Sequence, residues 1–251
     1  MPLTTAPPTA WAWNIGLDFN GLGNLVSSAN ALPVLIRPYY DEQMNPPGIY
    51  YAAIVATYDD DPIRWWYCGV SPDELGDLLA QNNAMPYSVA PDATGLASIM
   101  VPALNEWWWL YGVSAGNVGD TLTSTGASLT WISGTNDNFY ATMNSPGPSY
   151  WWFENLPLSQ IGTQLEAAGG QLLSLDATWQ DSDNEPTFAV LIGPQDGSTT
   201  WWYYDLHEAD VTNLLAENNA YLTDIAPYNR WAGPQVFGSD ETLMAVVMRA
   251  F

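Results

Sequence analysis

The stretch Trp65-Trp66-Tyr67-Cys68-Gly69-Val70-Ser71-Pro72-Asp73-Glu74-Leu75 decides the reading of this chain. Its first half is aromatic and β-branched, the composition of a half-buried strand. Its second half is a helix start, with Ser71 as N-cap, Pro72 in the first turn and Glu74 completing a capping box. Leu75, Leu78 and Leu79 then share one helical face, and Asn82-Asn83 can stop the helix because asparagine tolerates the left-handed conformation.

The same order of signals returns along the chain. WWLYGVSAGNV begins at Trp108, WWFENLPLSQI at Trp151, WWYYDLHEADV at Trp201 and a weaker AWNIGLDFNGL at Ala12, so successive openings are 53, 43, 43 and 50 residues apart. LLAQNNAMPYSVAP from Leu78 is matched by LLAENNAYLTDIAP from Leu214. Recurrence at such a period marks a repeat architecture. A second strand is predicted at 34–36, 129–132, 172–175 and 222–225, and a third at 50–55, 96–101, 139–143, 188–192 and 243–247. Several third strands are apolar on both faces, which places them inside a sheet covered on both sides. The expected fold is α+β: five tandem strand-helix-strand-strand repeats at approximately 11–61, 62–105, 106–148, 149–197 and 198–251. They pack into one compact body with an approximate five-fold arrangement. Each is too small to hide its apolar face alone. Whether the array closes into a ring is left open by the sequence, although closure would remove exposed strand edges.

Within this pattern, Tyr51-Ala52-Ala53-Ile54, Phe139-Tyr140-Ala141-Thr142 and Ala168-Gly169-Gly170-Gln171-Leu172 resemble elements of the bacterial tandem repeat domain family. The resemblance covers about the whole chain. Such repeats stand in the amino-terminal part of some secreted serine hydrolases related to β-lactamases, including polyglycine hydrolases. The catalytic part of those enzymes uses Ser-x-x-Lys, so what the resemblance implies for this chain is the non-catalytic repeat region.

Composition narrows the chemistry further. The 251 residues carry 27 acids against four bases, Arg37, Arg64, Arg230 and Arg249, for a net charge of -23 with no lysine. Nucleic acid and anionic membranes bind through clustered Lys and Arg, so neither is an expected partner. P-loop phosphate binding, Schiff-base chemistry and Ser-Lys catalysis all need an amine that is missing. One histidine and one cysteine exclude a Cys/His zinc site and an internal disulfide. No run of about 18 apolar residues predicts membrane insertion, and MPLTTAPPTA lacks the basic and apolar regions of a secretion signal. Lysine-free acidic surfaces nevertheless suit an extracellular setting, which is the expected location.

Four groups of residues could carry function. His207, with Asp205 or Glu208 and Cys68, invites a nucleophile-histidine reading. The repeat register instead aligns His207 with the helix-capping Asp18, Ser71 and Ser114, and Cys68 with the ordinary strand positions Ile15, Tyr111, Glu154 and Tyr204. Glu154 and Asp205 are the candidates for a carboxylate-pair hydrolase such as a glycosidase. Asp181, Asp183 and Glu185 alternate oxygen ligands suited to calcium, with a polar hairpin tip as the other reading. Finally, 9 of the 14 tryptophans sit at the repeat openings, where adjacent residues must face opposite ways. One member of each pair can pack under its own helix while its neighbour faces another repeat or solvent, with both being core as the other reading; the sequence leaves open which member is exposed, and Trp66, Trp109, Trp152 and Trp202 are the binding candidates. The expected function is a non-catalytic secreted binding or adhesion module, lectin-like, whose partner is carbohydrate or a cell-surface polymer. The alternatives are a structural, self-associating protein and the carboxylate-pair hydrolase.

Overall fold

Every aromatic opening forms a strand, and every capped segment after it forms a helix of 11 residues. The computed structural model describes residues 6–59, 63–135, 137–147, 149–180, 185–231 and 240–251. Among them, five helices and fifteen strands make five antiparallel three-stranded sheets, an α+β fold. Unit 1 consists of β1 (Ala10–Leu17), α1 (Phe19–Ala29), β2 (Leu32–Asp41) and β3 (Gly48–Thr57). Unit 2 has β4 (Trp65–Val70), α2 (Pro72–Asn82), β5 (Ala84–Pro91) and β6 (Leu96–Pro102). Unit 3 has β7 (Glu106–Val113), α3 (Ala115–Thr125), β8 (Ser128–Thr135) and β9 (Asn138–Ser145). Unit 4 has β10 (Trp151–Pro157), α4 (Leu158–Ala168), β11 (Gly170–Gln180) and β12 (Glu185–Pro194). Unit 5 has β13 (Thr200–Leu206), α5 (Glu208–Asn218), β14 (Ala220–Trp231) and β15 (Asp240–Ala250).

In each unit the third strand lies between the other two, as in the order β1-β3-β2. That is why these strands are apolar at successive positions: residues 243–248 of β15, for example, are all fully buried. Helix ends follow the sequence signals. Ser71 and Glu74 form the reciprocal capping box of α2, and Asn30, Asn83, Gly126, Gly169 and Asn219 end the five helices in the left-handed conformation.

Every first strand also carries a bulge near its end, with a residue at positive φ: Gly16, Gly69, Gly112, Asn155 and Asp205. Glycine, asparagine and aspartate are the residues that accept this conformation cheaply. In three units the freed backbone N–H is taken up by a side chain from the end of the second strand. Gly16 N donates to the Tyr39 hydroxyl at 2.9 Å, Gly69 N to Asp92 Oδ2 at 2.8 Å and Asp205 N to the Tyr228 hydroxyl at 3.0 Å.

The aromatic pairs divide between two cores. Trp65, Trp108 and Trp201 pack on the core of their own unit, which includes Leu75, Val118 and Val211 respectively. Their neighbours pack on the preceding unit: Trp66 on Leu22 and Ile36, Trp109 on Leu75 and Leu79, Trp152 on Val118 and Phe139, and Trp202 on Ile161 and Leu175. Trp11 and Trp13 join the cluster that contains Val211, Leu215 and Ile225 of unit 5. Unit 4 departs from the rule, because Trp151 is 42% exposed.

The second strands contact one another from unit to unit. β5 contacts β2 and β8, β11 contacts β8 and β14, and β14 also contacts β2. Side chains stitch these neighbours together. Asp176 Oδ2 accepts from the Ser133 hydroxyl and from Gly134 N, Asp224 Oδ2 accepts from Leu175 N, and Asn229 Nδ2 donates to Tyr40 O. Arg37 is 2% exposed and pairs with both carboxylates, Asp176 at 2.7 Å and Asp224 at 3.0 Å, with its guanidinium 5.0 Å from the centre of the Trp131 ring. One cation thus ties unit 1 to units 3, 4 and 5.

Candidate functional site

On the first strands of units 3, 4 and 5 aromatic side chains reach solvent, at Tyr111, Trp151 and Tyr204. Residues two apart on a strand share a face, so Trp109 and Tyr111 of β7 lie side by side, as do Trp202 and Tyr204 of β13. Both pairs stack, with ring centroids 5.2 Å apart and planes at 30° in the first, 6.0 Å and 28° in the second. The tyrosines are 48% and 39% exposed. Trp66, Trp109, Trp152 and Trp202 are themselves half-buried between units, so in units 3 and 5 the accessible end of the platform is the tyrosine two residues on. Repetition along the chain singles out the tryptophans. The tyrosines stand at the register position shared with Cys68 and Glu154, where the copies have no common residue type, so no repeated signal marks them.

Around Tyr204 the polar groups form a chain. Asp205, raised on the bulge, accepts from the Tyr228 hydroxyl through Oδ1 at 2.5 Å and pairs with Arg230 through Oδ2 at 3.4 Å. Arg230 also holds Glu241 at 2.7 Å, and the other oxygen of Glu241 lies 3.0 Å from His207 Nε2. The Glu241 bond and the two carboxylates raise the Arg230 guanidinium above its ordinary value, and burial with the Asp205 bond does the same for the Tyr228 phenol. Exposed aromatic surface such as Tyr204 can stack on the apolar face of a ligand, and carboxylate, guanidinium and imidazole groups such as those linked to the adjacent Asp205 can hydrogen-bond to hydroxyls.

His207 does occupy the cap position of α5, but its ring makes no cap hydrogen bond; Asp210 closes the cap by accepting from His207 N at 3.0 Å. The imidazole, 56% exposed, reaches Glu241 instead, because a long side chain at the cap projects past the helix end that a serine would hold. Cys68 packs beside Ile36 and Tyr51 in the core shared by units 1 and 2, and burial, with the Asp92 charge, pushes its thiol up to about 12. Such surroundings disfavour the thiolate, the form a nucleophilic cysteine needs.

The carboxylate Glu154 senses is Asp137, at the β8–β9 turn, which together with the larger effect of burial holds Glu154 above its usual range. Asp205 is occupied by Tyr228 and Arg230. Of the expected calcium ligands, Asp181 and Asp183 lie outside the described residues and Glu185 opens β12. Among the described residues no group of three His, Cys, Asp or Glu is placed to hold a metal ion, and no helix is long and apolar enough to cross a membrane. Each arginine is engaged inside the protein: Arg64 donates to the carbonyls of Leu32, Pro33 and Ala56, and Arg249 pairs with Asp196.

No model of a known protein family matches this chain, and no curated protein matches its sequence.

Proposed function

We propose that the chain is a non-catalytic, secreted binding module whose five units close into a ring and present aromatic platforms for carbohydrate on the outer strands. The resemblance to bacterial tandem repeat domains agrees with a non-catalytic role. Closure is supported by the first unit, whose Trp11 and Trp13 pack on unit 5 as Trp66 packs on unit 1, and by the contact of β14 with β2. The observation that carries the binding reading is the recurrence of one stacked, partly exposed Trp–Tyr pair at the same register in units 3 and 5. Sugars have apolar faces that stack on such rings, and a repeating ligand turns weak single sites into firm attachment.

The test is a glycan array read with the wild-type chain and with Tyr111→Ala and Tyr204→Ala, whose exposure makes both substitutions mild for folding. Each single change weakens binding about 2- to 10-fold, the worth of one aromatic contact, and the double change abolishes it. Exposed apolar residues, among them Ile63 at 64%, Leu104 at 79% and Trp151 at 42%, favour a second reading in which the surface meets another copy. A protein that binds no glycan and scatters light as large assemblies overturns the lectin-like reading in favour of that one.

A further inference from the structure

Where the second strands meet there is a cavity of about 80 Å³. Its wall contains the same register position from every unit: Val34, Tyr87, Thr130, Leu173 and Thr223. Each is the extra residue at a bulge in its strand, because the pairing register slips between Pro33 and Leu35, Pro86 and Ser88, Leu129 and Trp131, Leu172 and Ser174, and Leu222 and Asp224. A bulged residue is released from the ladder and can aim its side chain elsewhere. All five are partly exposed while the residues on either side of each are buried. The cavity is therefore built by one irregularity repeated five times.

Its chemistry is uncharged. No carboxylate lines it, so it lacks the oxygen ligands of a cation site. The one cation in its wall, Arg249, is neutralised by Asp196 at 2.5 Å. Beyond Trp131 and Ser174, which also line it, the buried Arg37 faces two carboxylates, an excess of negative charge that disfavours an anion. What remains is hydroxyl, carboxamide and aromatic or aliphatic surface: Thr130 and Thr223, whose hydroxyls donate to the Thr142 and Val247 carbonyls and keep lone pairs to accept, with Gln171, beside Tyr87, Trp131 and Leu173. The Ser174 hydroxyl is the telling group. The residue is 3% exposed, and although Asp224 is its neighbour the hydroxyl makes no well-formed hydrogen bond. The loose contact with Asp224 leaves this buried hydroxyl short of a full hydrogen bond, which a ligand oxygen would complete.

We propose that this cavity is a binding site for a small uncharged polyol, held by the Ser174 hydroxyl and the bulge threonines with its carbon skeleton against Tyr87, Trp131 and Leu173. At roughly 30 Å³ per liquid water, the space takes a few waters or one ligand of a few carbon atoms. The site is separate from the outer aromatic platforms.

Saturation-transfer NMR on the full chain with glycerol, erythritol and glucose tests the assignment. Transfer to at least one of them is expected. Ser174→Ala weakens that binding about 5-fold, the effect of one neutral hydrogen bond, with no loss of thermal stability. Leu173→Trp, which fills the space, removes it, and Tyr204→Ala leaves it unchanged. Absence of transfer in the wild-type chain would mean that the cavity holds water only and would overturn the proposal. Transfer that survives both Ser174→Ala and Leu173→Trp, or that Tyr204→Ala abolishes, overturns it as well by placing the binding elsewhere. A glycan-silent array with intact polyol binding would sink the outer-platform reading alone.

Discussion

Two sets of five residues, one position apart in every second strand, behave in opposite ways. Ile36, Val89, Ile132, Leu175 and Ile225 are all aliphatic and at most 2% exposed. The next positions are Arg37, Ala90, Ser133, Asp176 and Ala226, with no common chemistry. The first set points into cores that the units repeat in parallel, so each copy does the same job and the same residue type serves. The second set includes the groups through which units meet one another, Arg37 with Asp176 and Asp176 with Ser133. Five arginines or five aspartates brought together would repel with little water to screen them. Where copies touch like copies, the repeat has to break its own symmetry, and one cation among carboxylates and small residues is a solution that does so.

The sharpest way to break the comparison is Arg37→Met. It leaves Asp176 and Asp224 without their cation, and removing one partner of a buried ion pair costs about 3–5 kcal/mol. Denaturant unfolding measures it. Combining Arg37→Met with Asp176→Asn and Asp224→Asn recovers part of the loss. A cost of the single change below about 1 kcal/mol would show that Arg37 is not what joins the units. The aliphatic set gives the opposite expectation, uniformity. Ile36→Val, Ile132→Val and Ile225→Val each cost about 0.5–1.5 kcal/mol, agree with one another, and add to within about 0.5 kcal/mol when combined. Widely unequal costs would mean that the repeated cores are not equivalent.

The smallest effect concerns Asp196, which pairs with Arg249 beside the cavity. Burial raises its carboxyl, but the Ser198 hydroxyl and backbone N–H, with the Arg249 charge, outweigh this and bring it from 3.8 to about 2. A carboxylate lowered by folding contributes stability that is fully present above its unfolded value and is lost as pH falls through the folded one. The wild-type melting temperature should therefore drop more steeply than that of Asp196→Asn between pH 4 and pH 2, with the two curves parallel above pH 5. Parallel curves throughout would mean that neither the Ser198 bonds nor the Arg249 pair contributes.

Much of the fold was legible because it rests on local physics. Capping residues, left-handed helix exits and doubly apolar third strands are set by a few neighbouring residues, and Ser71, Asn83 and residues 243–247 read correctly without any partner in view. β5 was harder to see, since Pro86 and Pro91 interrupt it. It survives because it flanks its sheet, where a missing N–H costs no ladder bond, and because Pro86 stands next to the bulge. The outer platform was half legible: the tryptophans announced themselves by number, but their burial against the preceding unit, which hands exposure to Tyr111 and Tyr204, depends on how units pack.

By itself the sequence determined the repeated unit and its spacing, since strand, cap and stop signals act over a few residues and recur at fixed intervals. Val34, Tyr87, Thr130, Leu173 and Thr223 lie at those same intervals of 53, 43, 43 and 50 residues, yet they share no side-chain chemistry that would single them out. Only the tertiary structure brings them to one wall, because their common property is a slipped hydrogen-bond register, which belongs to the pairing of strands and is not written in any one residue. The same holds for Arg37, whose partners lie 139 and 187 residues away along the chain: its charge is in the sequence, but burial between two particular carboxylates is decided by which units become neighbours.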